Sequence, residues 1–171
     1  MIKTAQTRNM TVETMIGRIL SEKHYTIACA ESCTGGLLTS RLTDISGSSA
    51  YVKSSIVSYT NEVKMRLLNV KAETIEKFEV TSKEVALEMA EGVKNLMESD
   101  IGVGITGVAG PTGSTEKSPV GYVYIAIAGV HGDVTEEYHL IGNRSEIKWQ
   151  ATEAALMMIR KYLLEEPDKD F

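Results

Sequence analysis

Residues 25–45 read YTIACAESCTGGLLTSRLTDI. The run from Tyr25 to Ala30 is short and apolar, which suits a buried strand, and Leu37 to Ile45 has a helical pattern. Between them lies Glu31-Ser32-Cys33-Thr34-Gly35-Gly36, a turn closed by two glycines. A strand, a tight turn and a helix follow one another within 21 residues.

The rest of the chain extends this unit. Thr11 can cap a first helix whose apolar stripe is Val12, Ile16, Ile19 and Leu20. Tyr51 to Thr60 is rich in β-branched and aromatic residues and predicts a second strand. Asn61 can then cap a short helix through Leu68. Thr81 and Glu84 form a T-x-x-E capping box that opens a longer helix with Val85, Met89, Val93 and Leu96 on one face. Asp100 to Thr106 predicts a third strand, followed by the glycine-dense loop Gly107 to Gly113. Val120 to Ala128 and Val134 to Leu140 predict two more strands around a Gly132-Asp133 turn. Asn143 and Glu146 mark the start of a last helix, with Ile147, Ala151, Ala155, Met158 and Tyr162 as its stripe. Strands alternate with helices, then two strands adjoin. This pattern predicts an α/β fold, a three-layer α/β/α domain with a mixed, mostly parallel sheet. One domain is expected over 1–171, with a core of about 11–163 and a charged, frayed tail over 165–171.

Composition narrows the function. The net charge is -5 and no long basic run occurs, so no nucleic-acid partner is expected. No apolar stretch is long enough to span a bilayer, and MIKTAQTRNM lacks the apolar run of a secretory signal. A cytoplasmic protein without a membrane partner is expected. The two cysteines, Cys29 and Cys33, are not in a C-x-x-C arrangement. The three histidines, His24, His131 and His139, match no zinc signature. No metal site and no cofactor are expected.

In an open α/β sheet, ligands bind beyond the carboxyl ends of the strands. Three segments converge there: Ser32 to Gly36, Thr106 to Gly113, and Asn143-Arg144. Ser32 precedes a helix start whose free N–H groups could stabilise an oxyanion, although a serine there also serves as a plain cap. Cys33 is the rival nucleophile, and a packing role is its alternative. Lys64 would fall at N3 of its helix, where a cation opposes the dipole. That field and burial would lower its pKa and supply a neutral amine, a base for a serine hydroxyl; a solvated surface lysine is the plainer reading. Tyr59 could relay a proton, or orient Ser32 and Lys64, or simply hold its hydroxyl in water. The glycine loop lacks the G-K-[ST] of a Walker A loop and the full G-x-G-x-x-G fingerprint. Its N–H groups could hold a phosphate, or it could be a mobile connection. Arg144 at a helix start suits a phosphate monoester, and a surface arginine is its alternative.

Taken together, AESCTGGLLTSRLTDISGSSAYVKSSIVSYTNEVK, VTSKEVALEMAEG and GITGVAGPTGSTEKSPVGYVYIA resemble the CinA C-terminal domain family from about Thr11 to Tyr162. The resemblance implies hydrolysis of the carboxamide of nicotinamide mononucleotide to nicotinate mononucleotide and ammonia, without a metal. It implies Ser32, Tyr59 and Lys64 as the catalytic residues. It also implies substrate contacts at Glu31, Cys33, Thr34, Gly35, Gly36, Thr106, Gly107, Gly110 and Arg144. The expected partners are the nucleotide and further copies of the chain, a homodimer first. Many family members carry lysine directly before Pro-Val-Gly, where this sequence has Ser118, with Lys117 one place earlier. Larger relatives carry an N-terminal domain outside this sequence, and that domain's metal-dependent pyrophosphatase activity is not carried over. The alternative function is a non-catalytic nucleotide-binding or interaction module linked to competence or DNA damage.

Overall fold

The computed structural model describes residues 10–165. The charged tail expected to fray lies, from 166 on, outside the described residues. The chain begins with α1 (Val12–Lys23), capped by the Thr11 hydroxyl, which accepts from the Thr14 N–H. Then come β1 (Ile27–Glu31), α2 (Leu37–Thr43), a 3-10 turn (Ser48–Ala50), β2 (Val52–Val57), α3 (Asn61–Leu68), α4 (Ala72–Phe78) and α5 (Lys83–Met97). The remainder is β3 (Ile101–Gly107), β4 (Tyr122–Gly129), β5 (Val134–His139) and α6 (Arg144–Leu164).

The five strands form one sheet in the order β2-β1-β3-β4-β5. β1 pairs in parallel with β2 and β3, whereas β4 is antiparallel to both β3 and β5. β4 is therefore the one strand that opposes the others, and the sheet is mixed as expected.

Alternation along the strands builds two cores. Ile27 and Cys29 of β1, Ile101, Val103 and Ile105 of β3, and Val123, Ile125 and Ile127 of β4 face α1, α2 and α6. Ala28 and Ala30 face the other way, toward Leu68 of α3 and Val85, Met89 and Val93 of α5. On this second face the sheet is lined with small residues. Ala126 and Ala128 pack on Ala86 and Ala90, and a Cβ added to Gly104 would collide with the Ala86 carbonyl. Small side chains let α5 lie close against the sheet. The result is the expected three-layer α/β/α sandwich.

Several element boundaries differ from expectation. β2 is shorter, and Ser58, Tyr59 and Thr60 leave the sheet instead of extending it. Thr60, not Asn61, caps α3, its hydroxyl accepting from the Val63 N–H at 3.3 Å. Ser82, not Thr81, caps α5. α4 has no counterpart among the expected elements, because Lys71 at its N-cap makes no capping bond that a sequence pattern would show. Among the described residues no helix is long and apolar enough to cross a membrane.

Candidate active site

The helices that follow β1 and β2 leave on opposite faces of the sheet, which opens a crevice at the carboxyl end of β1. Ser32 stands at that edge. Its N–H still donates to the Ile105 carbonyl at 2.9 Å, so β3 holds the first residue of the turn. Gly35 and Gly36 have φ of 65° and 96°, a left-handed conformation that side-chain-bearing residues rarely take. These two glycines shape the turn and do not line the cavity.

Glu31, expected to touch substrate, is fully buried. Its Oε2 accepts from the Thr34 hydroxyl and the Gly36 and Leu38 N–H groups, and its Oε1 from the Thr39 N–H and hydroxyl. Glu31 and Thr34 thus serve the turn itself. The N–H groups of Gly36, Leu38 and Thr39 are taken by this carboxylate and that of Leu37 by the Thr34 carbonyl, so the start of α2 does not supply the oxyanion donors the sequence suggested. Among the described residues, the N–H groups of Cys33 and Thr34, the two residues that follow Ser32, donate to no acceptor.

Lys64 projects from the first turn of α3 and is 1 % exposed. Its Nζ lies 3.1 Å from Ser32 Oγ and donates to the Ser58 carbonyl at 2.6 Å. With Thr60 as N-cap, Lys64 is at N4 and its backbone N–H is already bonded to the Thr60 carbonyl. Of the two effects expected from the sequence, burial is the main cause that lowers its pKa from the ordinary lysine value to about 8. The Cys33 thiol is buried and pushed up to about 12, first by burial and then by the charge of Glu31. It is therefore a neutral thiol at pH 7.

Tyr59 is 60 % exposed, and its hydroxyl accepts from Arg144 Nη2 at 2.6 Å. The structure brings it to the cavity but does not bond it to Ser32 or Lys64. Arg144 also donates to the Gly110 carbonyl at 2.8 Å, which pins the glycine loop. The loop's base is closed by Val108 N–H to the Tyr122 carbonyl and Gly121 N–H to the Val108 carbonyl. At the start of α6, Asn143 Oδ1 takes the Ser145 and Glu146 N–H groups. An anion here would therefore meet the Arg144 guanidinium and, of the first-turn N–H groups, only that of Arg144 itself.

The cavity enclosed by these segments has a volume of about 280 Å³. Its wall includes Ser32, Cys33, Tyr59, Lys64, Thr106, Gly107 and Arg144. Gly110 reaches it only through Arg144. Three wall residues lie outside the segments and residues singled out in the sequence as the site: Asn61, Val80 and Thr81. Thr106 ties Val80 in place by donating to its carbonyl at 2.9 Å. No local pattern marks Val80 and Thr81 for the site; the order of the sheet, seen only in the structure, brings the start of α5 to the same edge as Ser32. Ser118 is buried with its hydroxyl 3.2 Å from the Thr81 carbonyl and 3.3 Å from Glu79 Oε2. Ser118 and Lys117 both line a neighbouring cavity with Lys83, Glu84 and Glu137, and neither lines the Ser32 cavity. Among the described residues, no three His, Cys, Asp or Glu side chains converge as a metal cluster would.

Comparison with known proteins agrees with this architecture. A protein of Halothermothrix orenii named as competence-damage inducible is 48% identical over 149 residues, covering 86% of this chain and 36% of that protein. A CinA-like protein of Endomicrobium trichonymphae is 46% identical over 156 residues, 91% of this chain and 36% of its own length. The chain thus spans a little over a third of the curated relatives it matches. The crystal structure of a CinA superfamily protein from Klebsiella pneumoniae superposes with a TM-score of 0.85 at 29% identity, covering 89% of this chain and 95% of that one. A competence/damage inducible protein from Agrobacterium tumefaciens gives 0.83 at 35% identity, covering 90% and 96%. Residues 9–163 match the CinA C-terminal domain, and the chain belongs to that family.

Proposed function

We propose that this domain is an amidohydrolase that converts nicotinamide mononucleotide to nicotinate mononucleotide and ammonia through a serine–lysine pair. The observation that carries the reading is the buried Lys64 Nζ at 3.1 Å from Ser32 Oγ. One N–H of the neutral amine is held by the Ser58 carbonyl, which aims the lone pair at the Ser32 hydroxyl. Lys64 takes the proton as Ser32 Oγ attacks the carboxamide carbon. The oxyanion of the tetrahedral intermediate meets the N–H groups of Cys33 and Thr34. The Lys64 ammonium returns the proton to the amide nitrogen, the C–N bond breaks and ammonia leaves. Lys64 then deprotonates a water, which attacks the acyl ester. The carboxylate product is released and Ser32 recovers its proton. Arg144 faces the 5′-phosphate, and the Tyr59 hydroxyl, which accepts from Arg144, keeps its own proton to donate to substrate. The nucleotide itself is supported by the family and by a guanidinium at the mouth of a cavity sized for a small ligand.

The test is to incubate the purified protein with nicotinamide mononucleotide in the presence of a chelator and resolve nicotinate mononucleotide by chromatography. Stoichiometric product and ammonia support the reading. Saturable binding without turnover would instead make the domain a nucleotide-binding module, a role compatible with the competence-damage names of its relatives. Loss of activity in chelator, restored by a divalent ion, would overturn the metal-free mechanism.

A further inference from the structure

The carboxylate next to the nucleophile has no place in the chemistry above, yet it is among the most highly coordinated side chains at the site. Glu31 is fully buried and receives five hydrogen bonds, all from neutral donors. A buried ion without a counter-cation is costly to keep, so packing alone does not account for it. All five donors come from 34–39, the segment that carries the Ser32 turn into α2. The N-cap of α2 is Gly36, which has no side chain to cap with, and Glu31 supplies the missing cap from the end of β1. The backbone of Glu31 is held just as firmly. It is in register with Val57 on one side and Ile105 on the other, and its carbonyl accepts from the Ser58 N–H at 2.9 Å. The Ser58 carbonyl in turn holds Lys64 Nζ. One residue therefore stands at the junction of the nucleophile's turn and the base's anchor.

We propose that Glu31 is a positioning residue of the reaction: its carboxylate holds the turn so that Ser32 Oγ meets Lys64 and the Cys33 and Thr34 N–H groups stay free. This rests on the reading of Ser32 as nucleophile. It replaces the expected substrate contact, because every side of the carboxylate is occupied and Glu31 forms no part of the cavity wall. The same charge reinforces burial in keeping the neighbouring Cys33 a thiol, which leaves Ser32 as the one activated nucleophile of the turn.

The experiment is covalent labelling of Ser32 by a fluorophosphonate, followed by peptide mass spectrometry, in the full chain and its variants below their unfolding temperatures. In Glu31→Gln an amide N–H₂ must face donors. Labelling is expected to slow by about 10- to 100-fold, the loss of a charged hydrogen-bond set. Thr39→Val removes a single hydroxyl donor and is expected to slow it by about threefold to tenfold. On nicotinamide mononucleotide, Glu31→Gln is expected to lower kcat with little change in KM. A folded Glu31→Gln that labels at the wild-type rate overturns the proposal. If that variant does not fold, wild-type labelling of Thr39→Val overturns it instead. A raised KM at unchanged kcat would make Glu31 a substrate contact, and a wild type that is not labelled at Ser32 would also overturn it. A wild type that labels at Ser32 yet releases no ammonia sinks the nucleotide reading alone, and the labelling rates still decide on Glu31.

Discussion

A lysine can serve as a base only when it has lost its proton, and at pH 7 an ordinary lysine has done so in roughly one molecule in a few thousand. Lys64 escapes this by burial, which brings its pKa to about 8. At pH 7 about a tenth of it would then be neutral. The base works deprotonated, so kcat/KM is expected to rise with pH through about 8 and then level off. Lys64→Arg should lose that limb and most of the activity, since guanidinium keeps its proton. A profile flat over roughly pH 6 to 10, or an active Lys64→Arg, would remove Lys64 from proton transfer. Lys64 could be singled out from the sequence because a cation in a first helical turn breaks a local rule. Burial depends on how α3 sits over the Ser32 turn, and no local pattern reports that. Glu31 shows the same limit: the family resemblance implied a substrate contact, but its partners at 34–39 face it only after the turn has folded back.

At the scale of elements, what decides the site is how each helix start uses its N–H groups. α2 gives most of them to Glu31, and α6 gives those of Ser145 and Glu146 to Asn143, which leaves the Arg144 N–H without an acceptor among the described residues. In the proposed reading, phosphate recognition falls to the Arg144 side chain. Arg144→Ala is expected to raise KM for the nucleotide by about 10- to 100-fold while changing turnover of the dephosphorylated riboside far less. Equal losses on both substrates would assign Arg144 to holding the Gly110 loop. The Asn143–Glu146 capping box was legible in the sequence and is present with both reciprocal bonds. Asn143→Ala should cost about 1 kcal/mol of stability in a denaturant titration. The start of α5 was misread by one residue because Thr81 and Ser82 both carry a capping hydroxyl. Tertiary contacts chose between them: the Thr81 carbonyl lies within reach of Ser118 from a distant loop, and Ser82 takes the cap.

For the whole molecule, apolar alternation made the three-layer architecture readable, whereas strand order and the close approach of α5 were not. The approach depends on glycines that look unremarkable in a strand. Gly104 leaves no room for a side chain beside the Ala86 carbonyl. Gly104→Val is expected to destabilise the fold by about 1–3 kcal/mol or more through overpacking, seen as a lowered Tm. An unchanged Tm would mean that α5 can move away freely. The sheet and its two helical layers exist, in this account, to bring Ser32 and Lys64 together at one edge. The most direct measurement is ammonia release from nicotinamide mononucleotide by the wild-type chain, Ser32→Ala and Cys33→Ala, with circular dichroism confirming that each is folded. Steady release by wild type and Cys33→Ala, with Ser32→Ala at background, is the expected result. Wild-type release from folded Ser32→Ala would contradict the account, as would none from the wild type.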